Sequence, residues 1–135
     1  MAWMKEQKAE HRKAHLQEAA AYSRQWRAAN PNRAADHRRA SKYKMTAGQY
    51  EQMFASQEGV CAVCREPETS IINGKPQRLA VDHDLSCCPR GTLCGRCIRG
   101  LVCFRCNRAM GLMGDDPEKL LLAVQYLQSF RVVKQ

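Results

Sequence analysis

The sequence predicts a small α+β fold that is stabilised by bound metal. A long N-terminal helical arm precedes this fold and a C-terminal helix follows it. Three observations lead to this prediction. Residues 4–29 are rich in Ala, Lys, Glu, Gln and Arg, which are strong helix formers. Two Cys-x-x-Cys pairs enclose a short apolar segment that is typical of a strand. Asp116-Pro117-Glu118 then marks a helix start, and apolar residues follow it at helical spacing.

The net charge of +9 on 135 residues favours a polyanionic partner, most simply nucleic acid. The charge is uneven, because residues 1–44 hold 11 Lys/Arg against 4 Asp/Glu, whereas residues 45–135 hold 11 against 9. We therefore expect a basic helical arm over 1–44 and one compact domain over 45–135. The alternative is a solvated charged arm without such a partner. The arm is also a candidate surface for a homodimer.

No apolar run reaches the ~20 residues that cross a membrane, and the N-terminus lacks the apolar region of a secretory signal. We therefore expect no membrane partner and a cytoplasmic location. In that reducing compartment eight cysteines, mostly in Cys-x-x-Cys pairs, are expected to bind metal and not to form disulfides.

The first half of the chain carries clear helix boundaries. Asn30-Pro31-Asn32 should end the first helix, and a second basic stretch follows over residues 33–44. Thr46 and Gln49 fit a capping box, which predicts a short helix that ends near Gln57. Its large apolar residues share one face and are expected in the core. They are Tyr50, Met53 and Phe54.

The second half carries fewer signals. Asn73-Gly74 predicts a turn, and Arg78–Asp82 predicts a strand that delivers Asp82 and His83. Residues 85–100 are expected to form an irregular loop held by cysteines. Asp116 is predicted as the N-cap of the last helix, whose apolar stripe should close the core. The stripe consists of Leu120, Leu121, Val124 and Leu127.

Cys61/Cys64 and Cys103/Cys106 are expected to bind one structural zinc ion. Each Cys-x-x-Cys unit places two thiolates on a tight turn, and two units complete a tetrahedral site with Zn–S near ~2.3 Å. Four thiolates leave no open position for water, so this zinc is predicted to be scaffold and not catalyst. It should supply much of the stability of so small a domain.

The remaining cysteines are a candidate second zinc site: Cys87, Cys88, Cys94 and Cys97. The second zinc is favoured because Cys94-Gly-Arg-Cys97 repeats the ligand spacing. One alternative is that some of these residues are free thiols packed in small hydrophobic spaces. Another is that Cys94/Cys97 partner the first Cys-x-x-Cys pair, since spacing allows both pairings.

Asp82, His83 and Asn107 supply a different set of donors. Their carboxylate and amide oxygens suit Mg²⁺ or Mn²⁺, so we interpret Asp82 and Asn107 as ligands of a single catalytic metal. An imidazole titrates near neutral pH, so His83 is predicted to be the general base for hydrolysis of a phosphodiester. Asp84 lies on the opposite face of an extended segment and is assigned a structural role.

Seven cations are candidates for contacts with the phosphates of nucleic acid. Four lie in the arm and three lie close in sequence to the Asp-His-Asn set. They are Arg38, Arg39, Lys42, Lys44, Arg99, Arg105 and Arg108. The alternative for each of them is an ordinary surface charge.

Four segments of the chain form a specific set: Gln57-x-Gly59-Val60-Cys61-x-x-Cys64, Val81-Asp82-His83-Asp84, Arg99-Gly100-Leu101-Val102-Cys103-x-x-Cys106-Asn107 and Asp115-Asp116-Pro117. Together they resemble the recombination endonuclease VII family, a branch of the His-Me finger (HNH-like) nucleases common in phages. The resemblance implies a ββα-metal core, in which a hairpin carries the His and the following helix carries the Asn. It also implies Mg²⁺-dependent DNA cleavage and one four-cysteine zinc. Leu85 and Met110 stand where other members can carry a second His and an acidic residue.

We therefore predict a Mg²⁺-dependent DNA endonuclease related to phage enzymes, with branched DNA as one candidate substrate. The first alternative is a catalytically silent, zinc-stabilised regulator that binds nucleic acid. It explains the charge and the cysteines but not the Asp-His-Asn set. The second alternative is an assembly protein that uses the first helix, for which the large apolar residues Trp3, Leu16 and Trp26 are too sparse.

Overall fold

The structure is a computed structural model that describes residues 2–88 and 93–130. Its elements confirm a small α+β protein with a long N-terminal helix. In chain order they are α1 (Ala2–Ala29), α2 (Pro31–Tyr43), α3 (Ala47–Ser56), β1 (Ile71–Ile72), β2 (Lys75–Pro76), β3 (Ala80–His83), β4 (Ile98–Val102), α4 (Phe104–Leu112) and α5 (Pro117–Ser129). In these two ranges, no helix combines the length and the apolar character that a membrane crossing requires.

The basic N-terminal region forms two helices with a break where the sequence predicts it. Asn30 separates α1 from α2, and its side-chain amide donates a hydrogen bond to the carbonyl of Trp26 at 3.0 Å. Pro31 begins α2, where its missing N–H costs nothing. The rings of Trp26 and His37 meet edge to face across this break at 5.8 Å. Elsewhere α1 is largely exposed, since it has few large apolar side chains to bury.

The end of α2 is attached to the core through an arginine. Arg39 is 9% exposed, and its guanidinium lies 3.9 Å from the ring centroid of Tyr50. Arg78 approaches the same ring at 4.6 Å, and the Tyr50 hydroxyl donates to the carbonyl of Leu79 at 2.7 Å. Cation–π contacts that exclude water are stronger than exposed ones. This cluster therefore fixes α2 to α3 and to the segment that leads into β3.

Helix α3 confirms its predicted start and its buried face. Thr46 accepts a hydrogen bond from the Gln49 N–H, and the Gln49 side chain accepts one from the Thr46 N–H. Tyr50 is fully buried, and Met53 and Phe54 pack against the core as predicted. The core is small. Its buried members are Met45, Tyr50, Cys61, Leu79, Val81, Leu101, Val102 and Cys103.

Gln57, at the C-cap of α3, joins this helix to β4. Its side-chain amide donates to the carbonyls of Leu101 and Val60 at 2.8 and 3.0 Å. Its side-chain oxygen accepts the Leu101 N–H at 2.8 Å. One side chain thus satisfies both backbone groups of a fully buried residue, as a neighbouring strand would do.

Two antiparallel strand pairs follow. In the first, β1 and β2 are joined by the predicted turn, where Asn73 and Gly74 adopt φ of 51° and 71°. In the second, β3 pairs with β4, so the predicted strand is confirmed two residues later than expected at its start. The prediction of an irregular loop over 85–100 was wrong at its end, because residues 98–100 begin β4. The pairing with β3 is non-local, and it overrides the weak strand character of Arg99-Gly100.

The last helix starts as predicted but does not close the core. The Asp116 carboxylate accepts the Glu118 and Lys119 N–H groups, and Pro117 occupies the first turn. No residue of α5 is buried, and the predicted stripe contains the exposed residues Leu121, Val124 and Leu127. The periodicity predicted the helix correctly, but it does not say which surface the apolar stripe meets.

Candidate functional site

Four cysteines from two distant parts of the chain meet in the core, and we call them the core cluster: Cys61, Cys64, Cys103 and Cys106. Their Sγ atoms all lie within 4.8 Å of one another, and those of Cys64 and Cys103 are 3.8 Å apart. A tetrahedral zinc with Zn–S of about 2.3 Å places its sulfurs ~3.8 Å apart. The predicted pairing is confirmed. The alternative that joined Cys94/Cys97 to the first pair was wrong.

The local backbone of the core cluster favours thiolates. The Val63 N–H points at the Cys61 sulfur and the Cys106 N–H at the Cys103 sulfur, each at 3.4 Å. Burial opposes ionisation of Cys61, but hydrogen bonds from backbone N–H groups, that of Cys103 first, lower its pKa to about 6. Burial and the neighbouring sulfurs raise the pKa of Cys106. Four sulfurs this close can all ionise only if a cation balances them, so the cluster could hold a structural zinc.

The core cluster also links the elements that carry the candidate catalytic residues. Cys103 is the N-cap of α4, immediately after β4. The Ala62 N–H donates to the Leu101 carbonyl at 3.0 Å, so the first cysteine turn lies against β4. The Glu68 carboxylate accepts the Phe104 N–H at 2.6 Å at the start of α4. An ion in this cluster would therefore fix α4 against the β3–β4 pair.

The other four cysteines form a second group, which we call the loop cluster: Cys87, Cys88, Cys94 and Cys97. Its sulfurs also lie within 4.8 Å of one another, with 3.9 Å between Cys87 and Cys94 and 3.6 Å between Cys88 and Cys97. The Arg96 backbone N–H lowers the pKa of the Cys94 thiol to about 6. This cluster could hold a second structural zinc on the connection between β3 and β4.

Asp82 and His83 end β3 at an irregularity of the strand pair. Asp82 lies opposite Gly100 and His83 lies opposite Ile98, so Arg99 is an extra residue on β4. Bulges of this kind turn side chains away from the regular alternation and are frequent beside active sites. Gly100 suits its position, because an added Cβ would come within 3.2 Å of the Gln57 side-chain oxygen.

The bulged Arg99 binds two carboxylates. Its guanidinium donates to both oxygens of Asp82, at 2.8 and 3.1 Å, and to Asp115 at 3.3 Å. Hydrogen bonding to Asp82 is the main cause that raises the pKa of Arg99. Asp82 is 9% exposed, so the pair compensates a carboxylate held mostly away from water. Sequence analysis missed this bridge, because neither the bulge nor the approach of Asp115 has a local signal.

His83 is half-buried beside the end of α2. Its ring meets that of Tyr43 edge to face at 5.5 Å. Asn107 is exposed on α4, which contacts β3, and its N–H donates to the Cys103 carbonyl. Asp84 accepts hydrogen bonds from the N–H and hydroxyl of Ser86, which agrees with the structural role predicted for it.

The seven candidate cations fall into three environments. Arg38, Lys42, Lys44, Arg105 and Arg108 are exposed. Arg99 is engaged by Asp82 and Asp115, although its side chain is 40% exposed. Arg39 is buried over Tyr50 and presents little surface to a phosphate. Sequence analysis could not separate Arg39 from Arg38, since the two residues are identical in type and adjacent.

Two curated phage proteins are similar to this chain in sequence. The Gene 59 protein of Mycobacterium phage L5 is 34% identical over 79 residues, which are 58% of this chain and 45% of that protein. The Gene 59 protein of Mycobacterium phage D29 is 32% identical over 110 residues, which are 81% and 59% of the two chains. The chain thus spans about half the length of the curated relatives it matches. No solved structure matches it.

The predicted resemblance is confirmed by a family model, that of recombination endonuclease VII, which matches residues 36–129. The match includes both cysteine clusters, Asp82, His83 and Asn107, and it begins inside α2, shortly before the buried Arg39. This chain belongs to the recombination endonuclease VII family.

Proposed function

We propose that this chain is a divalent-metal-dependent DNA endonuclease. Asp82 and Asn107 would hold Mg²⁺ or Mn²⁺, and His83 would act as general base. The observation that supports this most is the placement of Asp82 and His83 on β3, beside the helix that carries Asn107, in a chain of the endonuclease VII family. The order of β3, β4 and α4 agrees with the ββα-metal core of His-Me finger nucleases, and we assign these elements to it.

The donors of Asp82 and Asn107 fit a hard cation. A carboxylate has about four lone-pair positions, and the two hydrogen bonds from Arg99 use only two of them. The Asn107 amide is exposed and can turn its oxygen toward an ion. Oxygen ligands of this kind suit Mg²⁺ and Mn²⁺. When bound, such an ion neutralises charge on a phosphate and stabilises the leaving 3′ oxygen.

The imidazole of His83 would take the proton from the attacking water. His83 is half-buried, so part of the residue reaches solvent, and the Tyr43 ring contacts its imidazole edge to face. Imidazole is the side chain that best accepts a proton near neutral pH. Arg99 would keep Asp82 oriented, since a bidentate guanidinium fixes the plane of a carboxylate.

The exposed cations would grip DNA without reading its sequence. Arg38, Lys42 and Lys44 belong to the arm, residues 1–44, and Arg105 and Arg108 belong to the nuclease domain, residues 45–135. Neutralising phosphates releases counterions, so affinity should fall steeply as salt rises. Substituting Arg38 and Lys42 by Gln should reduce the salt slope of binding by about one unit for each phosphate that the variant no longer neutralises. Homodimerisation through the arm stays a prediction that sedimentation would test.

A matched pair of carboxylate variants tests the metal assignment. Asp82→Asn should abolish Mg²⁺-dependent cleavage of a plasmid, whereas Asp84→Asn should cleave normally because its side chain can still accept from Ser86. Zinc content is measured on both variants to confirm that the scaffold is intact. Equal cleavage by the two variants would contradict the assignment. A panel of linear, nicked and branched DNA then identifies the preferred substrate, including branched DNA.

One observation favours a second function, a silent nucleic-acid-binding regulator. The bidentate pair of Arg99 and Asp82 already satisfies Asp82 without a metal, as in a structural ion pair. In that case Mn²⁺ would not bind at Asp82, and DNA would be bound but never cut. Mn²⁺ that broadens NMR signals around Asp82 in the wild type, but not in Asp82→Asn, would exclude this alternative.

A further inference from the structure

We infer that the loop cluster binds a second zinc ion, and that this ion holds the β3–β4 connection in the form that positions His83. The metal site rests on the geometry of four sulfurs. Its effect on catalysis, but not its existence, rests on the function proposed above. The four ligands are Cys87, Cys88, Cys94 and Cys97.

The distances between the four sulfurs fit a tetrahedral zinc site. The distances of 3.9 Å for Cys87–Cys94 and 3.6 Å for Cys88–Cys97 lie on either side of the ~3.8 Å edge of a tetrahedral zinc–thiolate site. The core cluster shows 3.8 Å for its corresponding pair, Cys64–Cys103. The two clusters therefore share the same ligand geometry, although different elements build them.

The backbone turn around the ligands directs N–H groups at their sulfurs. In Cys94-Gly95-Arg96-Cys97 the N–H of the third residue donates to the first sulfur at 3.3 Å. The same bond joins the Val63 N–H to the Cys61 sulfur at 3.4 Å in the core cluster. The Cys94 N–H also points at the Cys88 sulfur at 3.2 Å. N–H groups aimed at sulfur stabilise the thiolate that zinc requires.

The exposure of these cysteines does not fit the main alternative, in which they are free thiols packed in small hydrophobic spaces. Free cysteines that replace a small apolar side chain are normally buried. Cys87 and Cys94 are exposed, and Cys88 and Cys97 are half-buried. Packing therefore gives no reason for four sulfurs to gather at this surface. A shared cation does.

The cluster is connected to His83 by backbone contacts on both sides. The Asp84 N–H, next to His83, donates to the Cys97 carbonyl at 2.9 Å. Cys97 directly precedes Ile98, the residue that pairs with His83 across the strands. The ion would thus link the two ends of the chain segment that connects β3 to β4. It would thereby stabilise the last residue pair of the two strands.

The cysteine turn also touches the end of the arm. Gly95 has φ of +76°, and a Cβ placed there would lie 3.0 Å from the Lys44 Cβ and 3.3 Å from the Tyr43 carbonyl. Tyr43 is the residue whose ring contacts His83. The loop cluster, the end of α2 and His83 therefore meet at one corner of the molecule, and the ion would keep this corner closed.

Metal content tests the site on the intact chain. Protein purified under reducing conditions should contain two zinc ions per chain by native mass spectrometry and elemental analysis. Cobalt substitution should give two equivalents of tetrahedral thiolate absorption. One ion per chain, or disulfides among the loop-cluster cysteines in place of an ion, would overturn the site.

A double variant tests the positioning role. Cys87→Ser/Cys94→Ser removes two exposed thiols while leaving the Cys97 backbone in place, so it should retain one zinc and its far-ultraviolet circular dichroism. Hydrogen exchange of the Asp84 amide should then accelerate by at least tenfold, while that of the Leu101 amide should stay unchanged. Unchanged exchange at Asp84 would overturn the positioning role. If the chain proved to be no nuclease, two zinc ions and protected Asp84 would still be found.

Discussion

The core cluster and the loop cluster have similar sulfur geometry but differ in burial. Both contain a Cys-x-x-Cys turn in which the third N–H donates to the first sulfur, at 3.4 Å for Cys61 and 3.3 Å for Cys94. In the core cluster Cys61 and Cys103 are buried and Cys64 is exposed, whereas in the loop cluster Cys87 and Cys94 are exposed. Local sequence thus determines the geometry of each cluster. The position of a cluster along the chain determines how much a bound ion would stabilise the fold.

The two clusters also differ in the length of chain that they close. The core cluster joins residue 61 to residue 106, and two hydrogen bonds reinforce this connection: the Gln57 amide donates to the Leu101 carbonyl, and the Glu68 carboxylate accepts the Phe104 N–H. The loop cluster lies within residues 87–97, and its described backbone contact with β3 is the bond from Asp84 to Cys97. We therefore expect a global effect when the core cluster is removed and a local effect when the loop cluster is removed.

The largest effect is expected for Cys103→Ser. It removes a ligand of the core cluster and the N-cap sulfur of α4. Structural zinc contributes on the order of 10 kcal/mol in small domains, which is comparable to the net stability of a whole domain. The variant should lose cooperative thermal unfolding, whereas Cys87→Ser/Cys94→Ser should keep it. A cooperative transition in Cys103→Ser at the wild-type temperature would show that the core does not depend on this ion.

A smaller loss is expected for Gln57→Ala. This change leaves the N–H of the buried Leu101 without its side-chain partner, whereas the Leu101 carbonyl still accepts the Ala62 N–H. A buried N–H group costs about 1–3 kcal/mol when unsatisfied, so we expect a loss of about 2 kcal/mol in urea unfolding. Gln52→Ala, on the exposed surface of α3, is the matched control and should change stability little. Equal stability of the two variants would show that β4 is held by the cluster alone.

Glu68→Gln should have a weaker and pH-dependent effect of about 1 kcal/mol. Burial raises the Glu68 pKa, but hydrogen bonds from the Phe104 and Ser70 N–H groups outweigh it and lower the pKa below 4.5. A carboxyl group with a lowered pKa contributes stability at pH values above its pKa in the unfolded state. This contribution is lost as pH falls through its pKa in the folded state. Between pH 5 and about pH 3 the wild type should therefore lose more stability than Glu68→Gln. Glu66→Gln, at an exposed position, is the control and should lose stability in acid as the wild type does. If Glu66→Gln and Glu68→Gln responded identically to acid, the role assigned to Glu68 would be contradicted.

The smallest effect is expected on the rate at which a chelator removes zinc from the folded protein. A chelator should remove zinc from the loop cluster before the core cluster, because Cys87 and Cys94 are exposed while Cys61 and Cys103 are buried. A zinc-sensitive dye should show two phases, and the fast phase should be missing in Cys87→Ser/Cys94→Ser. Release of both ions in one phase would mean that the clusters open together.

Signals confined to a few neighbouring residues predicted much of this structure. The Thr46/Gln49 capping box, the Asn73-Gly74 turn and the Asp116 N-cap are all found where the sequence places them. Each depends on hydrogen bonds or φ angles within four residues, so the local sequence specifies it. The pairing of the cysteines was only partly predictable, since three Cys-x-x-Cys units allow more than one choice of partners for a tetrahedral site.

Features that depend on distant contacts were not predictable from the sequence. Arg99 meets Asp82 and Asp115 because a bulge turns it there, and Arg39 is buried because Tyr50 lies below it. The apolar stripe of α5 was expected in the core, yet most of its residues are exposed. Periodicity defines a face of a helix, but only tertiary structure decides what that face contacts.

The role of His83 is tested most directly by plasmid cleavage with and without its imidazole. The zinc-loaded protein should nick DNA in Mg²⁺, EDTA should stop the reaction, and His83→Ala should be slower by about 100-fold or more. Free imidazole should restore part of the missing rate, and the exposed His15→Ala should cleave like the wild type. Cleavage by His83→Ala at the wild-type rate would contradict the proposed nuclease mechanism, as would a fully loaded wild type that leaves every form of DNA intact.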